Sequence, residues 1–405
     1  MRKNTEASEH GRGEHNSTHT FRNTIGPILI LTSIFFLNFT SRISTAPLAP
    51  RIEADLILSH AQTGTLFLFI SIGYFLTLVG SGFISSRLNH KHTIVTSNTV
   101  LGIALIGTAF CTGSWTMRLG LFSVGMAAGL YLPSAIATLT SLVPSQHWGK
   151  AIAIHELAPN LSFIAAPLIS EAVLVRFSWR EVFLILGVMA LIMSPIFMRH
   201  SRGGDFKGEA PGFGALGQLF GNLSFWLMVL MFSLGVIGTL GLYTMLPLYL
   251  VSEHGIDRNV ANTLIAFSRI PSVLMAFIAG WATDRIGPQR TLKIVLLVAG
   301  VMTFFLGIAS SSIIRYLVFL QPLVAVCFFP AGFAAMSSIV PPGFRNIAVS
   351  LIVPLAFVAG GGLAPIFIGF LGDKGNFALG IMICGGLIAI GSLFTGLLRF
   401  HGQSE

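Results

Sequence analysis

Long apolar runs alternate with short polar connections along nearly the whole of this 405-residue chain. Twelve runs are long enough to cross about 30 Å of hydrocarbon as helices. Their limits read as 25–49, 61–86, 93–112, 115–142, 149–175, 181–199, 222–251, 259–283, 291–310, 313–340, 347–371 and 378–398. One connection stands out: RHSRGGDFKGEAPGFGALGQ, between runs six and seven, combines Gly, Pro and charges as flexible linkers do. The pattern divides the chain into a polar, mobile tail (1–23), a first half (24–199), a linker (200–221), a second half (222–398) and a short tail (399–405). The first run is too long for a cleavable signal peptide.

The two halves repeat one another. Gly82, opening GFISSRLNHKH, answers Gly280, opening GWATDRIGPQR, 198 residues later. Pro133 answers Pro330, Pro144 answers Pro341, and Pro167 answers Pro365, at offsets of 197, 197 and 198. A near-constant offset predicts six helices used twice. The predicted fold is therefore an all-α membrane protein with twelve transmembrane helices in two six-helix halves, and a cavity between them.

Composition narrows the class. Charged residues make up 10% of the chain, against about 25% in soluble domains. No nucleophile–base set is legible, so no enzyme is read here. Cys111, Cys327 and Cys384 sit in apolar runs without metal-ligand spacing, and read as packing residues. No cofactor or metal is implied. His155-Glu156-Leu157-Ala158-Pro159 fails as a zinc motif because Pro159 stands where the second histidine belongs. The net charge of +9 is a topology signal. Fifteen of the 24 Lys and Arg fall on the side of the chain ends, seven on the other, and Arg42 and Arg269 inside the membrane. That bias places both termini in the cytoplasm of a cell (inner) membrane protein, and calls for no nucleic-acid partner.

GWATDRIGPQR resembles the loop signature of the major facilitator superfamily: a glycine, an Asp-Arg pair, then a glycine and basic residues. In its counterpart, GFISSRLNHKH, Ser86 stands where the acid is expected and Asn89 where the second glycine is. The first-helix region, SRISTAPLAPRIEADLILSHAQTGTL, resembles the anion-handling branches of that superfamily, the anion:cation symporters and organophosphate antiporters. Arg42 matches their first-helix arginine, and Leu58, Ser59, Gln62 and Gly64 match the run that follows it. The antiporters carry a second arginine in helix seven, where Gly241 or Leu242 falls here. The resemblance implies a monomeric secondary transporter of small organic anions.

Few polar residues interrupt the apolar runs. Arg42 and Arg269 enter the membrane to similar depth, one from each half. A guanidinium at mid-membrane costs at least about 2.5 kcal/mol, so it lines a wet cavity or has a partner. Its forked donors suit a carboxylate, sulfonate or phosphate. The competing reading pairs each arginine with a carboxylate that merely locks helices. Asn38, one turn before Arg42, with Tyr74, Tyr243 and Gln321, completes the candidate substrate site. Glu156 and His155 are the candidates for carrying a co-transported proton.

Asp284, with Arg285 beside it, is the candidate gate. By the family's pattern Asp284 approaches the N-terminus of helix five near Gly149 and Lys150, where a carboxylate meets partial positive charge. The G-x-x-x-G of Gly125 and Gly129 and the triplet Gly360-Gly361-Gly362 read as close helix packing.

Transport of a small organic anion by alternating access, with or without a proton, is the leading function. An efflux transporter with an apolar cavity is the alternative, and a ligand sensor that moves nothing is a third. Two intramembrane arginines argue for anions, because a cationic drug would be met by acids.

Overall fold

The computed structural model describes residues 6–208, 220–339 and 345–398, with side chains from residue 24 and, in the last segment, from residue 348. Twelve helices have the length and hydropathy to cross a membrane. We number them α1 (Thr24–Leu56), α2 (His60–Arg87), α3 (His90–Ala109), α4 (Ser114–Leu142), α5 (Ser145–Leu174), α6 (Trp179–His200), α7 (Leu223–Ser252), α8 (Arg258–Ile286), α9 (Pro288–Ile308), α10 (Ile314–Ile339), α11 (Ala348–Asp373) and α12 (Phe377–Leu397). Odd-numbered helices run from the terminal face, named for the chain ends, to the far face.

Eleven of the twelve match the apolar runs to within a few residues. α1 differs. It continues to Leu56 through Pro47 and Pro50, after an irregular step at Ser44. Its helical conformation also begins at Glu6, inside the segment read as a tail. Extending a helix costs far less than nucleating one, so polar residues can follow an apolar segment into helix. The linker's middle, 209–219, lies outside the described residues. Its start is not free: Lys207 pairs antiparallel with Asn89. Lys91 N–H donates to the Gly204 carbonyl at 2.9 Å, and Gly208 N–H to the Ser85 carbonyl at 2.9 Å.

Glycines set the closest approaches. A Cβ at Gly125 would lie 2.1 Å from the Ile70 carbonyl oxygen, and one at Gly129 2.5 Å from that of Tyr74. α2 and α4 therefore pack backbone to backbone, as the G-x-x-x-G reading requires. In the second half, α7 widens to a π-helical segment at Ile237–Gly241 and α11 at Phe357–Leu363. These segments meet through Gly241 and Gly360, where a Cβ at Gly241 would stand 2.3 Å from the Gly360 carbonyl oxygen. Such π segments recur at functional sites. Cys111, Cys327 and Cys384 are free and buried.

The halves are joined at the far face. Asp373, ending α11, accepts from Ser59 Oγ at 2.8 Å and from the backbone N–H of His60 at 2.7 Å and Ala61 at 3.1 Å. Those groups form the N-terminus of α2, which Ser59 and Gln62 also cap reciprocally. At the same face, Arg258 of α8 pairs in two-pronged fashion with Glu171 of α5, at 2.9 and 3.1 Å. Asn262 donates to Glu171 at 2.6 Å and to the Pro47 carbonyl at 3.1 Å. The Ser59, Gln62, Gly64 run thus has a local physical meaning. Gly64 completes it, since a Cβ there would come 2.6 Å from the Pro365 carbonyl oxygen.

Candidate functional site

Both intramembrane arginines are buried, at 7% exposure each, in a layer between the halves. The Arg42 guanidinium lies 4.8 Å over Phe39, one turn earlier on α1, and 4.3 Å over Tyr74 of α2. The Arg269 guanidinium lies 4.7 Å over Phe163 of α5 and 5.2 Å over Tyr243 of α7. Phe163 also meets Phe39 edge-on at 5.3 Å and Tyr243 at 4.9 Å. Phe39 and Phe163 therefore bridge one arginine to the other, with Tyr243 packed against Phe163.

Among the described residues no carboxylate pairs with either arginine, and the Nε of each has no hydrogen-bond partner. This removes the reading in which they only lock helices through ion pairs. Aromatic faces are worth roughly 0.5–2 kcal/mol each to a cation. Two faces per arginine can balance much of the mid-membrane cost. They leave the N–H donors, which lie in the plane of the group, for another partner.

Beside Arg42 is a cavity of about 30 Å³ lined from both halves, by Phe39, Ile43, Phe67, Ile70, Ser71 and Tyr74 on one side and Leu240, Thr244, Phe357 and Gly361 on the other. That is room for about two waters. The cavity abuts both π segments.

The remaining candidates divide. Tyr74 and Tyr243 are at the arginines, and Tyr243 Oη is buried without a partner. Asn38 donates to the Ala128 carbonyl at 3.2 Å, tying α1 to α4, with its Oδ1 unpaired. Gln321 is occupied elsewhere: its amide donates to the Gly238 carbonyl at 2.8 Å and to Thr303 Oγ1 at 3.1 Å, bracing the π segment of α7. Asp284 is exposed and makes no hydrogen bond or ion pair among the described residues. Arg285 lies 5.4 Å over the Trp281 ring.

His155 and Glu156 mark a break in α5, whose helix pauses between Ile154-His155 and Leu157. Pro159 is the cause, because its ring cannot sit beneath the His155 carbonyl four residues back. His155 is fully buried, stacked 4.4 Å from Phe35, with Nε2 3.1 Å from Tyr131 Oη. Its Nδ1 lies 3.4 Å from Glu156 Oε1, and the Glu156 side chain is 49% exposed. Asn160 donates to the Glu156 carbonyl at 3.1 Å.

Sequence reading missed Phe163, Glu171, Arg258, Asn262 and Asp373. Glu171 and Asp373 carried a signal, an acid inside or just past an apolar run.

Two packed halves of membrane-spanning helices, enclosing buried cations and a small cavity, have the build of a transporter. A family model, the Major Facilitator Superfamily, matches residues 31–314 and 250–404. The chain belongs to that superfamily and is a multi-pass membrane protein. It is 22% identical to a probable sulfoacetate transporter, SauU, of Cupriavidus necator, over 90% of this chain and 91% of that one. It is 25% identical to the multidrug resistance protein MdtL of Klebsiella pneumoniae (84% and 88% covered). The crystal structure of a bacterial homolog of the human lysosomal transporter Spinster, inward-facing and occupied, superposes with a TM-score of 0.79 at 17% identity, covering 93% of this chain and 96% of that one.

Proposed function

We propose that the protein is a secondary active transporter of a small organic anion, working by alternating access. The observation that carries this reading is the pair of buried guanidiniums, Arg42 and Arg269, with aromatic faces above their planes and no carboxylate beside them. A carboxylate, sulfonate or phosphate supplies the charge and the acceptors that each fork lacks. Tyr243 offers an unpartnered hydroxyl for orientation. The likeness to a probable sulfoacetate transporter supports the same class. The bias of basic residues puts the terminal face in the cytoplasm of a cell membrane. On that orientation the outer side is the one tied shut, by Asp373 and by Glu171–Arg258. Asp284 and Arg285, with α5's N-terminus, are the inner counterpart, disengaged in this state. A monomer suffices, and a proton can accompany the anion through Glu156 and His155.

The test is uptake and counterflow in proteoliposomes with benzoate, sulfoacetate and glycerol 3-phosphate. Wild type should move at least one. Arg42→Lys should insert normally and lose most transport, because lysine keeps the charge without the planar fork. Unchanged affinity in the lysine variant removes Arg42 from the site. The alternative, efflux of apolar drugs, is favoured by the likeness to MdtL and by the mostly apolar lining of the cavity. Transport of cationic dyes with no anion movement would select it. Anion binding without flux would select the sensor.

A further inference from the structure

We propose that His155 and Glu156 hold one proton between them, and that this proton travels in the same direction as the anion. The inference rests on the anion reading of Arg42 and adds where the coupled proton sits, what orients its site and which way it moves.

The position of the proton follows from counting hydrogens. Tyr131 has a single hydroxyl proton, donated to the Leu31 carbonyl at 2.6 Å. Its contact with His155 Nε2, at 3.1 Å, therefore needs the hydrogen on Nε2, with Tyr131 accepting. A neutral histidine so fixed has a bare lone pair at Nδ1. That lone pair lies 3.4 Å from Glu156 Oε1. Facing lone pairs repel, so this geometry favours a second proton between them, held as an imidazolium or as a carboxylic acid. Phe35 stacks on the ring at 4.4 Å, and the ring is fully buried, which holds it in this orientation. Tyr131 is thus a positioning residue, setting which nitrogen faces Glu156.

The loaded pair is electrically neutral. When the proton departs, Nδ1 is bare, Glu156 carries a negative charge, and the two lone pairs repel. Glu156 has somewhere to go: its side chain is half exposed and sits at the Pro159-induced break in α5. Binding and release of this proton therefore act on a side chain at the break in α5.

The direction of coupling follows from the surrounding charges. Facing His155 are Phe35 of α1, Tyr131 of α4 and Glu156 on its own helix; none of the first two is charged. A short row of rings joins the two groups: His155 stacks on Phe35, Phe35 meets Phe39 edge-on at 6.2 Å, and the Arg42 guanidinium lies 4.8 Å over Phe39, so the cation and the acid share one neighbourhood. With the proton gone, the Glu156 charge offsets Arg42 and weakens its hold on an anion. With the proton bound, Arg42 is left to the anion. Proton and anion favour each other's binding, and by linkage the effect is reciprocal. That is the thermodynamic basis of symport.

One experiment reads the proton site without any substrate. Nitrogen-15 NMR of histidine-labelled protein, with His155 assigned by difference from His155→Gln, should show Nε2 protonated and Nδ1 sharing a proton. In Glu156→Gln the amide donates instead, so Nδ1 should become a pure acceptor while Nε2 stays protonated. In Tyr131→Phe the preference for the Nε2 proton should be lost. A bare Nδ1 in wild type, unchanged by Glu156→Gln, would overturn the proposal, as would a proton on Nδ1 with Nε2 bare.

The second arm is flux. A gradient of one pH unit, acidic outside, should let wild type accumulate a transported monoanion about tenfold. Glu156→Gln should equilibrate it to a ratio near one while keeping counterflow. Full accumulation by Glu156→Gln overturns the coupling role. Loss of counterflow for every anion in wild type instead fails the Arg42 reading, and the NMR result still decides the proton site.

Discussion

Arg42 and Tyr74, on different helices, are stacked with 4.3 Å between the guanidinium carbon and the ring centroid. The contact lets a cation remain buried without an acid beside it, and it gives the first prediction. Tyr74→Leu should lower the thermal stability of the substrate-free protein by roughly 0.5–2 kcal/mol, the range for a desolvated cation over an aromatic face. Tyr74→Phe keeps the ring and should melt close to wild type. Equal melting of the leucine variant and wild type would show that the ring contributes nothing to holding Arg42.

At the far face, Asp373→Asn should loosen the junction between α2 and α11. The amide retains one acceptor but forfeits the charge that meets α2's N-terminal N–H groups, a loss of roughly 0.3–2 kcal/mol. The closed population of that face should fall by up to about thirtyfold, since about 1.4 kcal/mol is tenfold. Spin labels at the far ends of α2 and α11 should report longer distances. A distribution identical to wild type would mean that the Glu171–Arg258 pair holds the face alone.

Asp284 is unpaired among the described residues, so its removal should matter in the opposite state. Asp284→Asn should shift the resting population further toward an open terminal face, by about fivefold or less, because an exposed charge–dipole contact is worth about 1 kcal/mol at most. Ser86→Asp, at the position equivalent by repeat, should shift it the other way. Distances across the terminal ends of α5 and α8 would show both changes. No change in either variant would make Asp284 a solvated terminal charge.

Gln321 separates bracing from binding. Gln321→Leu removes both bonds that its amide donates, to the Gly238 carbonyl and to Thr303 Oγ1, which should cost roughly 1–3 kcal/mol of stability at about 0.5–1.5 kcal/mol each. Anion affinity should stay within about a factor of two, well under the tenfold that 1.4 kcal/mol represents. A variant that melts normally but binds much more weakly would place Gln321 at the substrate after all.

The spans were legible in the chain because crossing hydrocarbon is a local demand. Each segment must be apolar over its own length and must close its own backbone hydrogen bonds. The same holds for Gly125 and Gly129, whose spacing puts both on one helix face, whereas the break in α5 at Pro159 went unread. The sequence also singled out Arg42 and Arg269, since a charge inside an apolar run is visible without any partner. Only the tertiary structure decided what surrounds them. That Arg269 lies over Phe163, while Gln321 turns away to Gly238, depends on how helices from both halves rotate about their axes. The tie between Ser59 and Asp373 spans 314 positions of sequence. No local pattern encodes which distant side chain fills a given gap. That outcome belongs to the packing of all twelve helices together, where glycine contacts set the spacing and a buried charge either finds a counter-charge or is left, as here, with its donors free.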